Sequence, residues 1–223
     1  MKIDVLCSDK SHPVIPTIMK WIDSYNQKGH DVKLIHNKSA CRGGDILFLI
    51  SCVEIVRKAD RDKYRFSLVV HASDLPKGRG WSPLMWNVGN GENKNVVTLL
   101  NVADPFDTGD IWKKEIIEFR GDELYNEINE RLFECESKLM SWFVDNCEMA
   151  NAVPQTGVPS YWPRRCDDQN RIDVDSAISS QFDKLRVCDP HRFPAFFDYR
   201  GCRYYLRIEK TKERLIGVEH EMH

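Results

Sequence analysis

The chain has 223 residues, 42% of them hydrophobic, and 32 basic residues against 34 acidic ones give a formal net charge of −2. That composition fits one sizeable core plus a small appendage, and the balanced charge offers no broad cationic field to hold a nucleic acid. No apolar run approaches the roughly 20 residues that a membrane helix requires, so no membrane partner is expected.

The start, MKIDVLCSDK, is no signal peptide, because its apolar run is short and Asp4 interrupts it; a soluble, cytoplasmic protein is expected. Residues 2–8 (KIDVLCS) predict a first strand, broken by Ser-Asp-Lys-Ser-His-Pro. That turn lacks Gly-x-Gly-x-x-Gly, and no Walker Gly-Lys pair occurs, so a nucleotide held in either of those ways is not indicated. Ile15, Ile18, Met19, Trp21, Ile22 and Tyr25 recur at helical spacing between Val14 and Gln27, and Gly29 follows as a stop. DVKLIH predicts a second strand, and GGDILFLIS is apolar almost throughout, as a strand covered on both faces must be. KYRFSLVVH (63–71), NVVTLLNVADP (95–105) and IWKKEIIEF (111–119) predict further strands, and Leu124–Asn146 a long helix. Strands alternating with helical patterns give an α/β fold: a Rossmann-like domain with a doubly wound, mostly parallel sheet.

After Ala150 the character changes. VPQTGVPSYWPRR (153–165) is proline-rich and predicts a linker crossing the surface; Ser176–Arg186 predicts a short helix. PAFFDYRGCRYYLRIEK then alternates around Arg200-Gly201, a hairpin turn. The expected organisation is a main domain over 1–150 and an appendage over 151–223. A lone hairpin is marginal in water, so its aromatic faces need cover from the main domain or, preferably, from a second subunit in a homodimer. The eight cysteines (Cys7, Cys41, Cys52, Cys135, Cys147, Cys166, Cys188 and Cys202) include no pair two or three residues apart, so free thiols and no metal site are expected.

Ligands of open α/β sheets bind at the carboxyl ends of strands. His71 ends one strand, and Asp107 lies 36 residues later, just past VVTLLNV. If those strands are neighbours, imidazole and carboxylate can meet at one rim, a pairing suited to general acid–base work. The plainer reading is that His71 closes a strand and Asp107 caps the turn D-T-G-D.

HASDLPKGRGWSPLMW, then Gly91-Glu92, VVTLLNV and DPFDTGDI, in this order, resemble the formyltransferases that use 10-formyltetrahydrofolate. The match is dense over 46–111. PSYWPRRCDDQNRIDVDSA followed by LRVCDPHRFPAFFDYRG is similar to the tail behind the catalytic domain of sugar N-formyltransferases. The resemblance implies a formyltransferase-type catalytic domain, with His71 as the catalytic histidine and Asp107 as the catalytic aspartate. It places the folate pterin against main-chain groups of 51–55, with Ser51, Cys52 and Ile55, and of 103–106, with Ala103, Asp104 and Phe106. One position departs: the family carries asparagine two residues before the histidine as an oxyanion donor, and this chain carries Val69. Ser73 and Asn87 are the nearby polar candidates to replace it.

Among acceptor amines, methionyl-tRNA is disfavoured by the neutral charge and the short tail, and glycinamide ribonucleotide by the presence of a tail. A nucleotide-linked amino sugar suits the tail best. Arg79, Trp81, Trp86, Tyr161, Trp162, Arg164 and Arg165 are the candidates to stack on a base or sugar and pair with a diphosphate, each with core packing or loop fixing as its plainer role. HASDLPKGRGWSP is similar to the formyltransferases of the pseudaminic-acid pathway, which act on a UDP-linked 4-amino-4,6-dideoxy-N-acetyl-altrosamine; a dTDP-linked 4-amino-4,6-dideoxyhexose stays open. Two other classes stand beside transfer: a folate- or sugar-nucleotide-binding relative without catalysis, and a formyltetrahydrofolate hydrolase.

Overall fold

β1 (Lys2–Leu6), α1 (Ile15–Gln27), β2 (Asp31–Ile35) and β3 (Gly44–Leu49) open the chain in a computed structural model that describes residues 1–211. The last residues of the expected appendage, 212–223, lie outside the described residues. A one-turn α2 (Lys58–Arg61), β4 (Tyr64–His71), a two-residue β5 (Arg79–Gly80) and α3 (Pro83–Gly89) follow. Next come β6 (Lys94–Asn101), β7 (Ile111–Glu118) and α4 (Tyr125–Asn146), and then β8 (Tyr161–Trp162), α5 (Phe182–Arg186), β9 (Ala195–Tyr199) and β10 (Cys202–Leu206). Six strands make one sheet in the order β2-β1-β3-β4-β6-β7. β1 to β4 pair in parallel, whereas β6 runs antiparallel to both β4 and β7. This is the mixed α/β fold with a mostly parallel sheet that the element spacing predicts.

Strand side chains alternate between faces, and the two faces are covered differently. Ile3, Val5, Phe48, Leu68, Val70, Val97 and Leu99 join the main core with Ile18, Trp21 and Ile22 of α1, Leu84 and Val88 of α3, and Leu139 and Phe143 of α4. Leu6, Leu47, Leu49 and Tyr64 turn to the other face, where Val56 and the loop residues Cys41, Cys52 and Val102 cover them. Val69 belongs to this second face. His71, two residues on, therefore emerges on the loop-covered side.

Several local details differ from the expectations or add to them. A helix that the sequence reading does not mark is α3: Pro83 sits in its first turn, where its fixed φ favours a start, and Leu84 and Val88 bury one face. The helix expected over 176–186 is confined to α5, after a 3₁₀ turn at Ser179–Gln181. Asp173 accounts for this: it accepts from the Asp175 backbone N–H (3.0 Å) and the Ser176 hydroxyl (2.7 Å), and Gln181 Nε2 donates to the Asp173 and Ser176 carbonyls, so side chains hold the backbone in a non-helical turn. The expected surface linker is tied down: Val153 exchanges two 2.8 Å backbone hydrogen bonds with Ile111, and β8 pairs in parallel with β5. The hairpin forms as expected, β9 against β10, with Arg200 and Gly201 both left-handed at φ 49° and 77°, as a two-residue turn requires. All eight cysteines are free, and no helix among the described residues is long and apolar enough to cross a membrane.

Glu136 is the costly residue of the main core. It is buried on α4, its Oε2 has no partner among the described residues, and burial pushes its carboxyl up to about 8. A carboxyl raised on folding contributes its full neutral-state stability below about pH 4.5; that stability is lost as pH rises towards and through 8. Glu136→Gln is therefore expected to change stability little at pH 4 and to raise it by a few kcal/mol at pH 9, about 1.4 kcal/mol for each unit of displacement. Thermal melts of both proteins across that range read the effect.

Candidate active site

His71 is buried at the end of β4. Its Nε2 lies 2.9 Å from the Gly78 carbonyl oxygen and its Nδ1 3.5 Å from Asp107 Oδ1. The other carboxylate oxygen, Oδ2, accepts the Gly80 backbone N–H at 2.9 Å. Facing a carbonyl, Nε2 carries a proton, which leaves Nδ1 as the nitrogen that exchanges one. The sequence residues thus meet, but not because two strand ends share a rim. β4 and β6 are antiparallel, with His71 opposite Thr98, so β6 carries the chain away from His71 and residues 102–110 must fold back. Gly109 permits the return: a Cβ there would collide with the Asn101 carbonyl, and the Asn101 N–H donates to Asp110 O at 2.9 Å. On the histidine side, Ser73 N–H donates to His71 O (2.9 Å) and Thr98 Oγ1 donates to Ser73 O (2.6 Å), fixing where the loop leaves the strand.

The loop's far end is held from the C-terminal segment. Ser160 Oγ accepts from Gly78 N–H (2.9 Å), Ser160 O from Arg79 N–H (2.9 Å), and Trp162 O from Trp81 N–H (3.1 Å). The two backbone groups that position His71 and Asp107, Gly78 C=O and Gly80 N–H, are therefore fixed by pairing of β5 with β8. Gly80 takes φ 100° and lies where a Cβ would strike the Trp162 carbonyl. Gly80→Ala is expected to break that pairing, cost about 1–3 kcal/mol of stability by overpacking and lower turnover by about 10–100-fold through displacement of Asp107. Melts and steady-state rates measure the two effects.

The candidate acceptor residues gather around this pairing. Trp86 and Trp162 stack at 5.2 Å between centroids and 8° between planes, and Trp86 Nε1 donates to Pro163 O at 3.0 Å. Arg164 lies 5.2 Å over the ring of Trp81, and both are exposed. Arg165 lies 5.9 Å over Trp86 and donates to Asn170 Oδ1 at 2.9 Å; burial lowers its pKa. Tyr161 is exposed, and its hydroxyl accepts from Arg79 Nη1 at 3.3 Å. Arg79 is committed to the loop, its Nη2 donating to Gln155 Oε1 at 2.7 Å. Gln155 was not foreseen: its Nε2 also donates to Asp107 O (2.8 Å) and Gly109 O (2.9 Å). Its proline-rich setting reads as linker, and nothing local marks it.

The two loops expected to receive the folate flank Val69 on the loop-covered face, where Cys52 and Val102 pack on the same apolar cluster. Ser51 has φ 48°, and Val53 and Ile55 are exposed. The Ile55 carbonyl accepts from Lys38 Nζ at 2.9 Å. Desolvation by burial raises the Cys52 thiol pKa, and its Sγ lies 3.8 Å from Glu54 O, so this cysteine serves packing. In the second loop Ala103 is half-buried and Phe106 exposed; the Asp104 carboxylate pairs with Arg61 Nη2 at 2.5 Å, which holds its pKa low. Exposed apolar side chains beside turning backbone suit a flat heterocycle bound edge-on by main-chain groups and face-on by apolar ones.

Val69 packs among Leu75, Leu100 and Ile111 and offers no hydrogen bond. Asn87 donates to Asn95 Oδ1 at 2.7 Å and is committed there. Ser73 Oγ is buried without a partner among the described residues.

Fold and geometry together define a Rossmann-like α/β protein with an acid–base pair at a strand end. The pattern of the Formyl transferase family matches residues 10–144, more than half of the chain, and the chain belongs to that family. Among curated relatives, the methionyl-tRNA formyltransferase of Pelotomaculum thermopropionicum is 31% identical over 123 residues, covering 54% of this chain and 39% of that protein. That of Clostridium acetobutylicum is 28% identical over 165 residues, covering 72% and 53%. The chain spans about two fifths to a half of the length of the relatives it matches. Three solved structures share the fold. The Clostridium thermocellum methionyl-tRNA formyltransferase superposes with TM-score 0.77 at 23% identity, covering 91% of this chain and 90% of that one. A Shewanella sugar N-formyltransferase gives 0.73 at 13%, covering 96% and 99%. HypX from Aquifex aeolicus in complex with tetrahydrofolic acid gives 0.74 at 18%, covering 91% and 36%.

Proposed function

We propose that this protein moves a formyl group from 10-formyltetrahydrofolate to the amine of a nucleotide-linked amino sugar. The observation that carries the proposal is the His71–Asp107 pair, with Nδ1 3.5 Å from Oδ1 and each partner held on its outer side by backbone of one loop. In the reaction a C–N bond forms between the acceptor amine and the formyl carbon, and the bond from that carbon to folate N10 breaks. The amine gives up one proton and N10 gains one. His71 Nδ1, protonated and paired with Asp107, donates to the formyl oxygen as it becomes anionic. Asp107 Oδ1, facing the same space, takes the amine's proton directly or through water, and the imidazolium returns one to the leaving nitrogen. Folate binding falls to the 51–55 and 103–106 loops.

The acceptor assignment is supported by the exposed Trp81–Arg164 pair and the stacked Trp86–Trp162 pair beside the loop that holds Asp107. A guanidinium over an exposed ring suits a base and diphosphate better than a chain of formal net charge −2 suits a tRNA. Within nucleotide sugars, the resemblance of HASDLPKGRGWSP makes UDP-4-amino-4,6-dideoxy-N-acetyl-altrosamine the first acceptor to try. Exposed Tyr199, Tyr204 and Tyr205 on the hairpin support a second copy of the chain as partner.

Val69 favours a second reading. Loss of an oxyanion donor costs about 10²–10³ in rate, so a relative that binds both ligands without transfer is the alternative. Incubation with 10-formyltetrahydrofolate and a panel of UDP- and dTDP-linked amino sugars separates the outcomes by mass spectrometry. Formylated sugar supports transfer; formate released without acceptor makes the protein a hydrolase; binding without either product makes it the inactive relative.

A further inference from the structure

Asp107 is placed by something outside its own loop. Its backbone is left-handed at φ 59°, a conformation that a non-glycine residue adopts at a cost, and its carboxylate must stand at one distance from His71 Nδ1. The loop's own contacts include Thr108 Oγ1 on Pro105 O, which leaves the Asp107 carbonyl to another segment. Gln155 takes it. One amide ties two segments of the site together: Nε2 donates to Asp107 O and Gly109 O, clamping both sides of Thr108, while Oε1 accepts from Arg79, whose neighbours Gly78 and Gly80 contact His71 and Asp107. The side chain is half-buried, so these bonds are partly shielded from competing water.

We infer that Gln155 is a positioning residue that sets the Asp107 carboxylate against His71. The inference rests on the pair acting as the acid–base unit of formyl transfer. Gln155 touches no reacting atom; it acts on the angle of the Asp107 backbone. A displacement of about 1 Å at a catalytic group is enough to lower turnover about 100-fold.

The test compares Gln155→Ala, which removes all three bonds, with Gln155→Glu, which keeps an acceptor for Arg79 but turns a carboxylate oxygen towards two carbonyls. Both are expected to lower kcat by about 10–100-fold, with the KM for 10-formyltetrahydrofolate changed less than about threefold. In an Asp107→Asn background, Gln155→Ala is expected to cost less than about threefold more, because its effect runs through the missing carboxylate. A readout independent of turnover is the ¹⁵N resonance of His71 Nδ1, expected to move in both variants towards its position in Asp107→Asn. Wild-type kcat in Gln155→Glu would reduce Gln155 to a tether for Arg79 and overturn the inference. So would multiplied losses in the Asp107→Asn background, or an unmoved His71 resonance. A wild-type protein that forms no formylated product, while the resonance still moves, would refute the transfer reading and leave the placement of Asp107 by Gln155 standing.

Discussion

Asp107→Asn is expected to lower the proposed formyl transfer by about 10³ while leaving the fold and folate affinity nearly unchanged. Asparagine is nearly isosteric, so an amide oxygen can still accept the Gly80 N–H now bound to Oδ2 at 2.9 Å. The loop therefore stays closed. What changes is the group facing His71 Nδ1: a neutral amide replaces a carboxylate 3.5 Å away. An amide neither stabilises an imidazolium nor accepts the amine's proton, so both roles of the carboxylate are lost together. Steady-state rates with the acceptor found by the panel, alongside fluorescence titration of the folate, measure the two halves.

His71→Asn is expected to give a loss of similar size for a different reason. The shorter side chain sets its amide where Nδ1 stood, facing Asp107, gives up the Gly78 carbonyl that His71 Nε2 contacts at 2.9 Å, and cannot exchange a proton near neutral pH. The formyl oxygen then loses its charged donor, and with Val69 in place of an amide no neighbouring side chain at that position compensates. The expected loss is about 10³ or more in kcat, with folate affinity within a few-fold, since the 51–55 and 103–106 loops are untouched. Binding that falls together with kcat would move His71 from chemistry to folding.

How much of this was written locally follows from the kind of contact involved. The long strands were legible because a strand buried on both faces must be apolar, as in Ile46–Ile50 and Val96–Leu100. α1 and α4 were legible because one face of each is buried at helical spacing. His71 and Asp107 stood out as a histidine at a strand end and an aspartate in a glycine turn, in an order resembling a known family. The direction of β6 was not legible: parallel and antiparallel partners present the same apolar run, and only the pairing of His71 with Thr98 distinguishes them. The pairing of Arg79-Gly80 with Tyr161-Trp162 consists of two residues a side and has no periodicity to detect. Gln155 escaped for the same reason, since its partners are backbone carbonyls 46 and 48 residues away, and a carbonyl leaves no mark on the sequence.

The central claim is that imidazole and carboxylate form one unit. Single-turnover rates for His71→Asn, Asp107→Asn and the double variant, with 10-formyltetrahydrofolate and acceptor both saturating, test it most directly. Groups that act as a unit are not additive, so the double variant should be no slower than the worse single by more than a few-fold. Losses that multiply, or wild-type turnover in either single variant, would show that the two side chains do not share one proton path.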